Sequence, residues 1–293
     1  MFYIYGKKKQ SVKSTVRKAA VLSAAGLFSL FFPVLRALPA AAAAYDAEDV
    51  SVPIIMYHSV LNHPPQAGDY VVSTKTFKED MAYLKRNGYS AVFVAELIAY
   101  VYDGTPLPEK PVVITLDDGF LNNLTYVLPI LEETGMKATI SVVGSYTERF
   151  SKTGDPNINY AYLTWADIKA LQASGHIEIG NHSYDLHDQD LGALKKSGET
   201  VRAYQERLMA DIGKLQSELE ANTGILPKVF AYPFGLVSEE APAALKALGF
   251  KAALNCYEKV NRIGADPEAL YRLGRFNRSG RLSTEAFMNR LFG

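Results

Sequence analysis

Cysteine is almost absent from this chain of 293 residues. Cys256 is the single cysteine, so no disulfide can form within the chain and no cluster of thiolate metal ligands is available. We interpret Cys256 as a small buried hydrophobic residue. Histidine is also scarce, with five copies, and none follows His187.

An excess of positive charge is missing as well, because 31 Lys and Arg residues balance 31 Asp and Glu residues. The first 44 residues hold seven of the basic residues and no acid, which leaves residues 45–293 with 24 basic and 31 acidic residues, a net charge of −7. This acidic balance argues against a nucleic-acid partner.

The first 44 residues have the pattern of a targeting segment. Residues 19–35 are apolar and free of charge, and residues 40–44 are alanines that offer small-residue cleavage sites. The basic head consists of Lys7, Lys8, Lys9, Lys13, Arg17 and Lys18. We expect export, either with cleavage of a signal peptide near Ala44 or with retention of residues 1–44 as a membrane anchor. A membrane contact is expected only in the second case, and residues 45–293 would be secreted or at the cell surface.

Residues 45–293 have the length of one α/β barrel, and no internal repeat or low-complexity linker divides them. Strand and helix patterns alternate along this region, which is typical of a parallel sheet. The predicted strands are residues 52–56, 111–116, 137–143, 177–180, 229–232, 252–255 and 271–273. The predicted helices are residues 76–87, 124–134, 164–174, 199–222 and 239–248. We predict a single α/β domain with a distorted (β/α)7-type barrel.

Two polar motifs follow predicted strands, at the edge where parallel α/β folds place their active sites. Asp117 and Asp118 follow the strand at residues 111–116, and His182 and His187 follow the strand at residues 177–180. One carboxylate and two imidazoles leave positions on a divalent cation for water and substrate, and a second carboxylate can take that water's proton. The pattern predicts a metal-dependent hydrolase.

Alternatives remain open at this stage. The two aspartates could form a turn and cap the next helix. The histidines could be exposed loop residues, or Asp185 could replace one of them as a ligand. Side chains five positions apart on an ideal helix point about 140° away from each other, so part of the segment between the histidines should be a loop.

Four motifs together resemble the polysaccharide deacetylases of the NodB-homology class, carbohydrate esterase family 4. The motifs are TLDDG at residues 115–119, HSYDLH at residues 182–187, AYPFG at residues 231–235 and MYHS at residues 56–59. The last is similar to a subgroup with an N-terminal Tyr-His motif that includes exopolysaccharide deacetylases of biofilm bacteria. The resemblance covers roughly residues 51–278.

The resemblance implies roles for individual residues. Asp118, His182 and His187 are expected to bind the metal, and Asp117 is expected to be the general base. The backbone N–H of Phe234 is expected to help hold the oxyanion.

Two positions depart from the family pattern. Ala231 stands where the family often has an arginine that holds the base, and Arg275 is our candidate to replace it. The family's usual late histidine is missing, which makes His58 the expected acid. Arg275 could instead be a surface arginine, and His58 could be a core or capping histidine.

Aromatic residues near the motifs are candidates for contacts with sugar rings. Tyr184 lies between the two expected histidine ligands, and Tyr232 and Phe234 lie in the third motif. We expect these three side chains to line the substrate groove.

Together, these features predict an extracytoplasmic hydrolase that removes N-acetyl groups from a glycan containing N-acetylglucosamine. We expect zinc as the metal, with cobalt, nickel or iron as other ions that such a site accepts. An O-acetyl esterase and a weakly active member that only binds glycan are the alternatives. Peptidoglycan, chitin-like oligomers and poly-N-acetylglucosamine all present the same amide, so the motifs do not distinguish them.

Overall fold

The structure, a computed structural model, describes residues 49–64 and 68–293. The expected leader at residues 1–44 lies outside the described residues. No helix in the described part of the chain is both long and apolar enough to cross a membrane.

A parallel sheet of eight strands organises the described residues. Seven strands follow the order β10-β9-β8-β7-β6-β2-β12, and β5 pairs with β6. Antiparallel β1 and β11 form one small sheet, and parallel β3 and β4 form another. The strands are β1 Val50–Val52, β2 Ile54–Tyr57, β3 Ser59–Leu61, β4 Val71–Ser73, β5 Ser90–Ala91, β6 Pro111–Leu116, β7 Ala138–Val142, β8 Ile177–Asn181, β9 Val229–Ala231, β10 Ala252–Leu254, β11 Asn261–Ile263 and β12 Phe276–Asn277.

Helices follow most of the sheet strands, as the alternating pattern predicts. A π-helical turn, Asn123–Val127, leads into α3, and 3₁₀ turns occupy Pro233–Gly235 and Pro267–Arg272. The helices are α1 Thr74–Arg86, α2 Val94–Asp103, α3 Leu128–Thr134, α4 Gly144–Thr153, α5 Trp165–Ala173, α6 Val201–Thr223, α7 Ala241–Ala247 and α8 Thr284–Phe292.

The residues just before β12 bring together the two edges of the sheet. Leu273 forms a parallel bridge with Leu254, the last residue of β10. Three residues later, Phe276 pairs with Ile55 of β2 at the other edge. The sheet therefore curls into a half-barrel, which confirms the predicted fold class.

One predicted strand is wrong. Residues 271–273 do not form a sheet strand, because Tyr271 and Arg272 belong to the 3₁₀ turn Pro267–Arg272 and Leu273 makes only an isolated bridge. Asp266 caps this turn by accepting the backbone N–H of Glu268 at 2.9 Å. The strand that pairs with β2 follows at Phe276–Asn277 instead.

Alternating residues of the sheet belong to three apolar clusters, the smallest of which packs Phe230 and Ala253 against α6 and α7. One face packs against α1, α3, α5, α6 and α8; its strand residues include Ile55, Val112, Ile114, Ile140 and Ile179. The other face contacts α2; its strand residues include Ile54, Val113, Val229, Ala231 and Leu254. Burial on both faces is usual for parallel strands, and it leaves the carboxyl edge of the sheet for polar chemistry.

Candidate active site

Three side chains with metal-binding atoms meet at the carboxyl edge of the sheet. Asp118 follows β6, His182 directly follows β8, and His187 lies in the loop after it. One possible ligand atom from each lies within 4.8 Å of the others. Asp118 Oδ1 is 3.0 Å from His187 Nε2 and 3.6 Å from His182 Nε2.

The donor set fits a divalent cation. Asp118 Oδ1 is buried and has no hydrogen-bond partner within the described residues, although it faces two imidazole nitrogens. The carbonyl oxygen of Ala231 lies 2.7 Å from His182 Nδ1, which leaves Nε2 to face the cluster. Burial lowers the pKa of His182, against the effect of the nearby carboxylates, and so favours the neutral imidazole that binds metals.

The loop between the two histidines explains how residues five positions apart converge. Ser183 adopts a φ of 73°, and its backbone N–H donates to Asn181 Oδ1 at 2.8 Å. The Asp211 carboxylate, from α6, accepts the backbone N–H groups of Tyr184 at 2.8 Å and Asp185 at 3.0 Å. Asp185, the alternative ligand, is exposed and lies outside the cluster.

Asp117 is held by a buried arginine. Arg275 donates from Nη1 to Oδ1 and from Nη2 to Oδ2 of Asp117, at 2.8 Å each. The two side chains are 0% and 3% exposed. Burial by itself would raise the pKa of Asp117, but the Arg275 charge outweighs it and holds that pKa well below its usual range. Arg275 thus contacts Asp117, the carboxylate that the family arginine was expected to hold.

Backbone strain is concentrated at this edge. In residues 49–64 and 68–293, the non-glycine residues with positive φ are Asp118 at 71°, Ser183 at 73° and Phe234 at 56°. Each such conformation costs free energy and persists only where the surrounding structure enforces it. All three lie in the motifs that predicted the site.

A pocket of about 420 Å³ opens over the cluster and includes Asp117, Asp118, His182 and His187 among its lining residues. Its remaining lining residues are Met56, His58, Ser59, Leu61, Tyr70, Val71, Phe120, Asn159, Phe234, Cys256 and Asn277. Substrate could therefore reach both the cluster and the carboxylate beside it.

His58 faces this pocket from the end of β2. Its Nδ1 is buried without a hydrogen-bond partner in the part of the chain that the structure describes. Tyr70 contacts its ring edge-on, with ring centroids 4.7 Å apart. Burial lowers the pKa of His58, while the Asp118 and Asp117 carboxylates act in the opposite direction.

Phe234 also borders the pocket, on the turn Pro233–Gly235. Its ring is 42% exposed and lies 4.5 Å from the His187 ring between centroids. The structure thus brings the third motif to the metal cluster, as the resemblance implies.

Tyr184 and Tyr232 do not line the active-site pocket, in contrast to Phe234. Tyr232 points away from the pocket and packs edge-on against Phe230, with centroids 5.1 Å apart. The Tyr184 hydroxyl donates to Glu148, and Lys214 lies 3.5 Å from the centre of its ring. The closeness of these residues to the motifs in sequence did not reveal the directions in which their rings point.

Sequence reasoning missed several residues of the site. Tyr70 and Asn159 come from loops with no motif, and Cys256, which we interpreted only as a packing residue, is half-buried and borders the pocket. Asp211 lies on a helix whose charge pattern is that of a solvated face. No motif in the sequence pointed to Tyr70, Asn159, Cys256 or Asp211.

A comparison with known families agrees with the motifs. The family model described as polysaccharide deacetylase matches residues 104–253, a range that contains Asp117, Asp118, His182 and His187. The chain belongs to the polysaccharide deacetylase family. The resemblance stated from the motifs is thereby confirmed.

Two curated relatives carry the same name. The poly-beta-1,6-N-acetyl-D-glucosamine N-deacetylase of Escherichia coli (strain K12) is 30% identical over 217 residues, covering 67% of this chain and 32% of the relative. The protein of the same name from Staphylococcus epidermidis is 25% identical over 225 residues, covering 76% of this chain and 73% of the relative. The chain thus spans about a third of the length of the Escherichia coli protein.

A solved structure supports the fold. The Streptococcus pyogenes deacetylase PplD, in complex with acetate, matches with a TM-score of 0.68 and 20% identity. The match covers 84% of this chain and all of the PplD chain. It shows that the polysaccharide deacetylase described here shares the half-barrel of that protein.

Proposed function

We propose that this chain is an extracytoplasmic, metal-dependent deacetylase that removes N-acetyl groups from a polysaccharide containing N-acetylglucosamine. The observation that carries the proposal is the Asp118, His182 and His187 cluster, which lies beside the Asp117–Arg275 pair at one open pocket. A cation site next to an ionised carboxylate is an arrangement that can hydrolyse an amide with water.

The relatives support the substrate class. Both curated relatives described above carry the name poly-beta-1,6-N-acetyl-D-glucosamine N-deacetylase. An N-acetyl amide on a glucosamine unit is therefore the bond that we assign to this site.

The reaction needs a strong nucleophile and a stabilised oxyanion, because an amide is a poor electrophile. A divalent cation held by Asp118, His182 and His187 would activate a water and polarise the acetyl carbonyl. Asp117 stays ionised beside Arg275, so it can accept a proton from the attacking water. The backbone N–H of Phe234 would donate to the developing oxyanion.

The departing amine must gain a proton, and we assign this step to His58. Its ring lines the same pocket, and its Nδ1 is not engaged by another described residue. A lowered pKa makes the protonated imidazole a stronger acid, while the two nearby carboxylates limit that lowering.

Released acetate tests the proposal. The full chain should release acetate from N-acetylglucosamine oligomers, lose this activity with a chelator, and regain it when zinc is added back. Cobalt, nickel and iron salts should be compared in the same experiment. Acetate release that is equally fast with and without chelator would contradict metal dependence.

The alternatives predict different results. An O-acetyl esterase would release acetate from acetylated xylan and not from N-acetylglucosamine oligomers. A glycan-binding member would bind the oligomers and release nothing. The buried Asp117–Arg275 pair favours the enzyme, because a binding protein has no use for a carboxylate held ionised beside a metal site.

The proposed location rests on the basic and apolar pattern of residues 1–44. Cleavage after Ala44 would leave Tyr45 as the first residue of the exported protein. Sequencing of the N-terminus after expression in the native cell distinguishes this product from a membrane-anchored one. Recovery of the full chain from the cytoplasm would overturn the proposed location.

A further inference from the structure

A second cavity, of about 290 Å³, lies next to the active-site pocket. Asn255 and Tyr257 line it, whereas Cys256 between them lines the active-site pocket. In the same way, Tyr232 lines the second cavity and Phe234 lines the active-site pocket. The two cavities thus share a wall made of two short chain segments.

That wall is thin and tightly packed. Gly235 has a φ of 70°, and a Cβ added there would lie 2.6 Å from Cys256 Cβ. Arg275, which holds the catalytic carboxylate, donates from Nε to the Asn255 carbonyl oxygen at 3.0 Å. A sugar chain that leaves the active-site pocket across this wall would therefore meet the second cavity.

Hydrogen-bond donors line the second cavity. The Tyr232 side chain is 1% exposed, and its hydroxyl has no partner within residues 49–64 and 68–293. Burial raises the pKa of Tyr232, so the hydroxyl keeps its proton. Asn255 Oδ1 accepts the Tyr257 backbone N–H at 2.9 Å, so the side-chain NH₂ group of Asn255 points in a different direction. A buried donor without an acceptor is costly and is often explained by a ligand.

Positive charge is also left unpaired there. Lys259 and Arg272 line the cavity, and neither has an ion-pair or hydrogen-bond partner among the described residues. Neighbouring basic residues are paired, as in Lys246–Glu268 and Lys195–Glu240. In a domain whose net charge is −7, two free cations in one cavity with Glu239 as the lone acid make a local site for an anion.

An aromatic surface completes the cavity. Tyr257 is 67% exposed, which is unusual for a side chain of this size. Its ring can pack against the apolar face of a pyranose while the polar groups contact the substituents of the sugar.

We propose that the second cavity binds a sugar unit that carries a negative charge, as a carboxylate or a phosphate, in the same glycan chain whose N-acetyl group lies in the active-site pocket. This inference rests on the proposed function for its placement along a glycan. Lys259 and Arg272 bind the anionic group, the Tyr232 hydroxyl and Asn255 amide donate to the sugar, and Tyr257 packs against its ring. Glycans with an acidic unit near the N-acetylated one should therefore bind more tightly than neutral N-acetylglucosamine oligomers.

Calorimetric titration of the full chain tests the inference without turnover. The probes are glucuronic acid, glucose 6-phosphate and neutral N-acetylglucosamine. The double variant Lys259→Gln and Arg272→Gln should weaken binding of at least one charged probe about tenfold, since two exposed charge contacts together contribute at most a few kcal/mol. Whichever charged probe binds more tightly identifies the anionic group.

A matched control removes the same charge elsewhere. The double variant Lys75→Gln and Arg202→Gln changes two exposed residues on α1 and α6 and should leave binding unchanged. Glu239→Gln should tighten binding of the charged probe, because it removes the lone acid of the cavity. Equal affinity of all four proteins for both charged probes, or no binding of either to the parent, would overturn the inference.

Acetate release by the parent from N-acetylglucosamine oligomers is measured separately. Absence of acetate release would reject the proposed function, whereas failure of the parent to bind either charged probe would reject only the inference about the second cavity. The two failures are therefore distinguishable.

Discussion

Arg275 and Asp117 face each other as a planar pair joined by two hydrogen bonds of 2.8 Å each. The arginine comes from the segment before β12, and the aspartate follows β6. Ala231 stands at the position where family members often carry this arginine. Its side chain cannot hold a carboxylate, and its backbone oxygen contacts His182. The same carboxylate is thus held from a different part of the barrel.

Neighbouring aspartates should respond differently to the same substitution. Asp118→Asn should abolish metal retention, because it removes the anionic ligand that faces both histidines. Asp117→Asn should keep the metal and lose turnover by about 10²- to 10⁴-fold, because it removes the general base. Elemental analysis, circular dichroism and initial rates separate the two effects. Full metal occupancy in Asp118→Asn would show that the ligand assignment is wrong.

The double hydrogen bond from Arg275 to Asp117 should help to set the acid limb of the pH–rate profile. Arg275 lowers the pKa of Asp117, so Arg275→Lys, which cannot form the doubly bonded pair, should raise that pKa and move the acid limb to higher pH. The ionised, paired Asp117 stabilises the fold above the unfolded-state pKa of about 3.9, and this contribution is lost as the pH falls towards the lower folded-state pKa. At neutral pH the variant should therefore lose about 1–3 kcal/mol of stability.

Arg278→Lys is the matched control, because Arg278 forms a similar buried pair with Asp80, with Nε–Oδ2 at 2.7 Å. It should lower the free energy of unfolding by a similar amount and leave the pH–rate profile in place. Urea unfolding and pH–rate profiles of both variants check this. An unchanged profile in Arg275→Lys would contradict the proposed role.

His58→Gln should keep the metal and slow amide cleavage more than ester cleavage. An amine leaving group needs a proton more than an alkoxide does, so activity on an O-acetylated sugar should fall less than activity on its N-acetyl counterpart. The ratio of the two rates is the measurement. If the ratio of ester to amide cleavage rates equals that of the parent, His58 has a structural role only.

Asp211 should affect metal affinity without touching the metal. Its two carboxylate oxygens hold successive N–H groups of the loop between the histidines, and Asp211→Asn places an amide donor against one of them. Metal affinity should fall by about 10- to 100-fold, as it does when supporting residues of a metal site are changed. Glu220→Gln, an exposed change on the same helix, is the control. Competition with a chromogenic chelator gives the affinities; equal values in parent and Asp211→Asn would exclude this positioning role.

The placement of the motifs could be predicted because parallel strands end at one edge. The strand predicted at residues 111–116 is observed at the same residues, and it delivers Asp117 and Asp118 to the sheet edge beside β2 and β7. The helix predicted at residues 164–174 is also observed, as α5, and Thr164 caps it by accepting the Asp167 backbone N–H. Local signals of this kind depend on only a few neighbouring residues.

Other features depend on distant contacts that no local pattern encodes. Asp211 holds its loop from 27 positions away, and Arg275 reaches Asp117 over 158 positions. The Tyr232 ring is buried in an apolar cluster with Phe230 and Tyr204, and the Tyr184 side chain contacts Glu148 on α4 and Lys214 on α6. The loop residue Tyr70 reaches His58 only because of how the chain closes around the pocket.

The segment that joins the two sheet edges also carries Arg275, which has a consequence for the order of assembly. A nascent chain has no partner for Asp117 until residues 273–277 have been synthesised and have docked between β10 and β2. Contacts over such long separations form late in folding, because loop-closure entropy must be overcome first. Partly folded chains would therefore lack an ordered general base, and hydrolysis would begin only after residues 273–277 have docked.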